Sequence, residues 1–221
     1  FNTLCLYSFR MPSIWQHDER MIEYVHSILP KSPGILASIE IDAKQRGIPI
    51  VGPLIGRLLF LLTLTTRAKR VLEIGTAVGY STIWLGLAAK KVKGRVTSIE
   101  IDPARADEAR ANIHTANLDD TVEVITGDAL DVIPGLKGRF NLIFIDDSKD
   151  NYPRYFELCY PRLSKNGLLI ADNALWHGEV LKDSIEGKAV ARFNSMLISS
   201  MDAVVLPVRD GLAIGIKGYR Q

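Results

Sequence analysis

Residues 71–81 read Val71-Leu-Glu-Ile-Gly75-Thr-Ala-Val-Gly79-Tyr-Ser81, and this stretch decides the fold. A short apolar strand, Val71–Ile74, ends in two glycines four positions apart, and a helix follows over Ser81–Lys91. Glycine lets the turn reach positive φ and lets a ligand approach the backbone closely. A strand, a glycine turn and a helix in that order begin an α/β unit whose ligands gather outside the carboxyl ends of the strands.

Downstream the pattern repeats. Arg95–Ile99 reads as a strand, Pro103–Asn117 as a helix, Val122–Ile125 as a strand, and Asn141–Ile145 as a very apolar strand. Asn151–Leu163 then reads as a helix and Gly167–Ala171 as a strand. This alternation predicts parallel strands joined by crossover helices, a Rossmann-like doubly wound sheet with helices on both faces. The end breaks the rhythm. Ala203–Val208 and Leu212–Lys217 are apolar runs joined by Arg209-Asp210-Gly211, and Asp-Gly between such runs signals an antiparallel hairpin. Upstream lie three helical stretches: Asp18–Leu29, one opened by Pro33 and running to about Gly47, and one opened by Pro53 and running to about Thr66. No repeat or low-complexity linker interrupts the chain. It is expected to be one domain over 1–221, with an N-terminal helical extension over 1–69 and an α/β core over 70–221.

Composition narrows the function classes. At 47% hydrophobic and 24% charged, the 221 residues can bury a full core. The net charge is +2, from 27 basic and 25 acidic residues with no long like-charge run, which gives no support to a nucleic-acid partner. The longest apolar stretch, Leu58–Leu64, lies between Arg57 and Arg67 and falls short of the ~20 residues that span a bilayer, so no membrane partner is expected. Cys5 and Cys159 form no CxxC pattern, which suits a reducing compartment, and cytoplasmic localisation is expected. Phe1–Arg10 lacks the basic start and cleavage site of a signal peptide. Without an initiator Met, the numbering is expected to begin inside a longer product.

Acids end the strands in series. The glycine turn here is ExGxxxG, not the GxGxxG of a dinucleotide site. Glu73 would repel a pyrophosphate and suits the cationic end of S-adenosylmethionine better. Glu100, 25 residues after Gly75, ends the second strand where a carboxylate can accept both ribose hydroxyls. Asp128 ends the third, where the adenine would lie. Each acid alone is equally readable as a helix cap; the ordered series Glu73, Gly75, Gly79, Glu100, Asp128 favours the cofactor.

A second acidic set follows the later strands. Asp146 and Asp147 follow Leu142–Ile145, and Asp172 and Asn173 follow Leu168–Ala171. Asp146, Asp172 and Asn173 should face the cleft that Gly75 faces. Three oxygen ligands without His or Cys favour a hard cation, Mg²⁺ first, with Mn²⁺ or Ca²⁺ as alternatives. On spacing alone, turn and capping chemistry accounts for the same residues. Lys149 is a surface charge unless a cation sits beside it, where its ammonium form is disfavoured and it can act as a base. Tyr152, Tyr155, Trp176 and His177 are candidates to wall a flat substrate, and helical spacing makes the two tyrosines equally readable as packing residues.

Together, Val71–Ser81, Ser98–Asp102, Phe144-Ile-Asp146-Asp-Ser-Lys149-Asp-Asn-Tyr152 and Ile170-Ala-Asp172-Asn173-Ala-Leu-Trp176 resemble the cation-dependent O-methyltransferases, which include caffeoyl-CoA and catechol O-methyltransferases and bacterial relatives. The likeness covers roughly residues 18–219. An α/β sheet closed by an antiparallel hairpin is characteristic of S-adenosylmethionine methyltransferases. The resemblance implies a metal held by Asp146, Asp172 and Asn173, with Lys149 as catalytic base and Asp146 also at the chemistry. It implies a cofactor held by Val51, Glu73, Gly75, Ser81, Glu100, Asp128, Ala129 and Asp146. The implied partner is a small catechol-like or phenolic hydroxyl acceptor, and the chain is expected to form homodimers. One departure is Val51-Gly-Pro-Leu-Ile-Gly56, where relatives carry a polar, often acidic stretch. Two readings compete: an NAD-dependent oxidoreductase, which the missing GxGxxG disfavours, and a non-catalytic S-adenosylmethionine-binding protein, which leaves the second acidic set without a purpose.

Overall fold

The computed structural model describes residues 19–218. Phe1–Arg10, Cys5 and the expected helix start at Asp18 lie outside the described residues. The chain divides into two compact units, residues 1–32 and 33–221. In the first, the described element is α1 (Glu19–Ile28), which stops short of Pro30.

The second unit opens with α2 (Ile35–Arg46), which ends where Gly47 turns left-handed and its N–H bonds the Ala43 carbonyl. Next comes α3 (Gly52–Thr65), with Pro53 in its first turn. The sheet region then runs β1 (Arg70–Ile74), α4 (Tyr80–Lys91), β2 (Arg95–Glu100), α5 (Pro103–Thr115), β3 (Val122–Thr126), α6 (Ala129–Gly135) and β4 (Phe140–Ile145). It continues with α7 (Tyr152–Cys159), β5 (Leu163–Asp172), α8 (Ile185–Ser200), β6 (Asp202–Leu206) and β7 (Leu212–Ile216).

The seven strands lie in the order β3-β2-β1-β4-β5-β7-β6. The first five are mutually parallel, β7 runs antiparallel to β5, and β6 antiparallel to β7. The doubly wound sheet and its closing hairpin are therefore both present. Strand order reverses between β1 and β4, which makes their carboxyl ends the place for a ligand.

Alternation along each strand splits the core in two. Val71, Leu142, Phe144, Leu168 and Ile170 face one apolar cluster. Leu72, Ile74, Ile143, Ile145, Leu169 and Ala171 face the other. A parallel strand covered on both faces reads as an unbroken apolar run, which is why Leu142–Ile145 was so apolar in sequence. Leu36, Ile39, Ile55 and Leu59 belong to the first cluster, so α2 and α3 share the core of the sheet. The boundary between the two compact units falls between Ser32 and Pro33.

Three local expectations need correction. The helix expected over Asn151–Leu163 is a 3₁₀ turn at Lys149–Asn151, then α7, then a second 3₁₀ turn at Tyr160–Arg162. Pro161 has no N–H to continue the helical ladder. The strand expected to reach Val208 stops at Leu206, before Pro207. Two helices, α6 and α8, have no counterpart in the sequence reading. The α8 signal was present: Ser184 caps it by accepting from Gly187 N–H, and Val190, Phe193 and Leu197 are buried at helical spacing. Among the described residues, no helix is long and apolar enough to cross a membrane.

Candidate active site

A cavity of about 580 Å³ opens at the carboxyl ends of the strands. Its walls come from Pro49–Val51, the β1–α4 turn, the end of β2, the segments after β4 and β5, and Arg209 of the β6–β7 loop.

On one side, Gly75 follows β1 and packs against Asp146, the residue after β4. Its φ is 91°, and a Cβ there would sit 2.0 Å from the Asp146 carbonyl oxygen, so only glycine fits. Glu100 accepts from Ala77 N–H at 2.7 Å and Asp102 N–H at 3.0 Å while lining the cavity. This carboxylate braces the turn, since Ala77 is held at φ 46°. Val51 and Ser81, both buried, also line the cavity.

Three expected cofactor residues lie elsewhere. Glu73 is fully buried behind the wall, because the pleat turns it toward α4. Its Oε2 accepts from Thr82 Oγ1 at 2.5 Å and Ser98 Oγ at 2.6 Å, while Oε1 is buried without a hydrogen-bond partner. Burial pushes its carboxyl up to about 7, against the pull of the neighbouring Ser81, Ser98 and Thr82 hydroxyls. Asp128 caps α6 through Leu130 N–H at 2.8 Å, and Ala129 is buried in that helix. Neither lines the cavity, although both stand at the end of β3, next to β2.

On the other side, Asp146, Lys149, Asp172 and Asn173 line the same cavity. Asp172 is 2% exposed, and its Oδ1 is buried with no hydrogen-bond partner. Burial first, and the charge of Asp146 second, raise its carboxyl to about 6, with Arg209 pulling the other way. Lys149 is 7% exposed, and its Nζ donates to Asp146 Oδ1 at 3.0 Å and the Asp147 carbonyl at 2.9 Å. The same ammonium lies 4.9 Å from the Tyr152 ring and 5.4 Å from the Trp176 ring. Among the described residues, no three His, Cys, Asp or Glu side chains gather as a metal site. The expected trio is two carboxylates and an amide.

Of the four candidate wall residues, Trp176 and His177 line the cavity. Tyr152 and Tyr155 pack in the core instead: Tyr152 donates to the Asp172 carbonyl at 2.9 Å and Tyr155 to Asp147 Oδ2 at 2.8 Å. Sequence reasoning missed Arg209 and Asp210, which read as turn residues. Arg209 donates to the carbonyls of Val51 and Ile50 and lies 3.9 Å from Asp172 Oδ2. Asp210 accepts from Asn173 Nδ2 at 3.2 Å, across 37 residues of sequence. No local spacing signals that pairing.

A family model described as O-methyltransferase matches residues 39–217. A catechol O-methyltransferase of Niastella koreensis is 37% identical over 213 residues, covering 91% of this chain and 93% of that one. A caffeoyl-CoA O-methyltransferase of Stellaria longipes is 26% identical, covering 91% of each. The crystal structure of an O-methyltransferase from Bacillus cereus in complex with S-adenosylhomocysteine superposes with a TM-score of 0.81 at 32% identity, over 89% of this chain and 96% of that one.

Proposed function

The chain belongs to the O-methyltransferase family and is an S-adenosylmethionine-dependent O-methyltransferase of the catechol and caffeoyl-CoA type, and from that premise we propose that it is divalent-cation-dependent and methylates one hydroxyl of a vicinal aromatic diol. One observation carries the cation: the buried, unpartnered Oδ1 of Asp172, in a cavity that also presents Asp146. Burial and the nearby Asp146 charge raise the proton affinity of Asp172, and a buried carboxylate beside a second one favours a bound cation. With only oxygen donors on offer, Mg²⁺ fits best, and Mn²⁺ or Ca²⁺ suit the same set.

Asp146, Asp172 and Asn173 would hold the cation. When bound, it supplies positive charge that makes a neighbouring acceptor hydroxyl more acidic. Lys149 Nζ, once it is the neutral amine, takes the hydroxyl proton. The acceptor oxygen then displaces the sulfonium in line: an O–CH₃ bond forms, the CH₃–S bond breaks, and the electron pair stays on sulfur. Glu100 holds the ribose hydroxyls, and Val51, Gly75 and Ser81 shape the methionine side. Glu73 acts from behind through Ser81, while Asp128 and Ala129 flank the adenine. Trp176 and His177 border the acceptor.

Turnover of a catechol is expected to vanish in excess chelator and to return with Mg²⁺ or Mn²⁺. Undiminished turnover in chelator would remove the cation from the reaction. With Mg²⁺ saturating, a catechol is expected to react faster than the matching monophenol, because adjacent oxygens can chelate; equal rates would remove the diol preference.

A further inference from the structure

Two successive residues of the β6–β7 loop meet the last residue of β5 and the residue that follows it. Arg209 Nη1 lies 3.9 Å from Asp172 Oδ2, and Asp210 Oδ2 accepts from Asn173 Nδ2 at 3.2 Å. The antiparallel register sets this up: Asp172 pairs with Leu212, and beyond it Ala174 N–H and Leu175 N–H bond the carbonyls of Gly211 and Asp210. Asp210 also accepts from His177 backbone N–H through Oδ1 at 2.5 Å, and the His177 ring stands 3.5 Å from its Oδ2. Its side chain is therefore clamped from two sides. Asn173 itself is held at φ 53°, so its side chain leaves the backbone in a fixed direction.

A carboxylate only accepts hydrogen bonds, whereas an amide has a donating and an accepting end. Asp210 therefore decides which end of Asn173 it faces. We infer that Asp210 is a positioning residue that holds the Asn173 amide by its nitrogen, so that Oδ1 is the end presented to a divalent cation. This rests on the cation reading above, and its test separates the two.

The readout is Mn²⁺ affinity, measured by calorimetry or by the electron paramagnetic resonance of free Mn²⁺, without cofactor or acceptor. In Asp210→Asn, the new amide keeps its oxygen toward His177 N–H and turns its nitrogen toward Asn173, which must then rotate its own nitrogen into the site. Mn²⁺ affinity is expected to fall about 10–100-fold, the usual effect of losing an outer-shell partner. Asn173→Ala should weaken Mn²⁺ as well, and adding Asp210→Asn to it should change affinity by no more than about twofold. Combining Asp210→Asn with Asn173→Asp restores a donor facing an acceptor, and recovery is a gain in Mn²⁺ affinity from Asn173→Asp that is larger with Asn at 210 than with Asp at 210, which the added ligand charge alone would not give. S-adenosylhomocysteine affinity and the thermal midpoint check the fold of each variant. Unchanged Mn²⁺ affinity in Asp210→Asn while Asn173→Ala is weakened, or no recovery in the swapped pair, overturns the inference and leaves the cation reading standing. Unchanged affinity in Asn173→Ala sinks both.

Discussion

Glu100 does two things with one carboxylate, bracing Ala77 and facing the cavity. Glu100→Ala is expected to weaken S-adenosylhomocysteine binding by about 1–3 kcal/mol, as unmade hydrogen bonds do, measured by titration calorimetry. Lys149 sits at the opposite wall. Lys149→Ala should lower turnover by roughly 10²–10⁴-fold, the range for a lost general base, while S-adenosylhomocysteine still binds. Comparable loss in both measurements would make Lys149 a structural residue. Glu73 has a pH signature. Its carboxyl lies at about 7 in the folded chain against an ordinary 4.5, so the native state holds a proton that the unfolded chain releases. Below pH 4.5 both states are protonated. As pH rises toward 7 the unfolded state is favoured and stability falls. Asp172, raised from 3.8 to about 6, acts with the same sign. The metal-free protein is therefore expected to lose stability between about pH 3.8 and 7, and Glu73→Gln should remove on the order of 3 kcal/mol of that decline, read from urea midpoints across the range. Strand-end acids are legible in sequence because turns are local. The burial of Glu73 is not, because Thr82 and Ser98 reach it from α4 and β2.

At the level of elements, the joint between β1 and β4 carries the site. Asp146 N–H bonds the Ile74 carbonyl at 2.9 Å, and Gly75 N–H bonds the Ile99 carbonyl at 3.0 Å, so three strand ends are tied together beside the glycine. Gly75→Ala adds a methyl where the Asp146 carbonyl already stands and forces alanine into positive φ. The strain alone is worth about 1–3 kcal/mol. The variant is expected to unfold at lower urea and to lose cofactor binding together with Mn²⁺ binding, since the displaced backbone belongs to Asp146. Intact binding of both would show that the joint can relax. The glycine turn was readable from spacing because the conformation belongs to the residue. The end of α7 was readable in principle from Pro161, but the start of β5 at Leu163 depends on its pairing with Phe140.

For the whole molecule, β6 is the outer strand on one side of the sheet, and Val204 on it is 46% exposed. An edge strand with exposed apolar side chains invites pairing with another chain. A homodimer is expected, with light scattering giving about twice the 24.5 kDa of one chain; a monomer at assay concentration would remove it. What the sequence determined by itself was the order of the strands and of the helices other than α6 and α8, the closing hairpin, and the polar residues waiting at each strand end. Those follow from apolar period and turn chemistry, which are properties of neighbouring residues. Only the tertiary structure decided that α2 and α3 enter the core of the sheet, that Glu73, Asp128 and Ala129 stand off the cavity, and that Arg209 and Asp210 meet Asp172 and Asn173. The physical reason is register: the antiparallel match of Asp172 with Leu212 is chosen by burial of both strands across the whole sheet, and no local period encodes it.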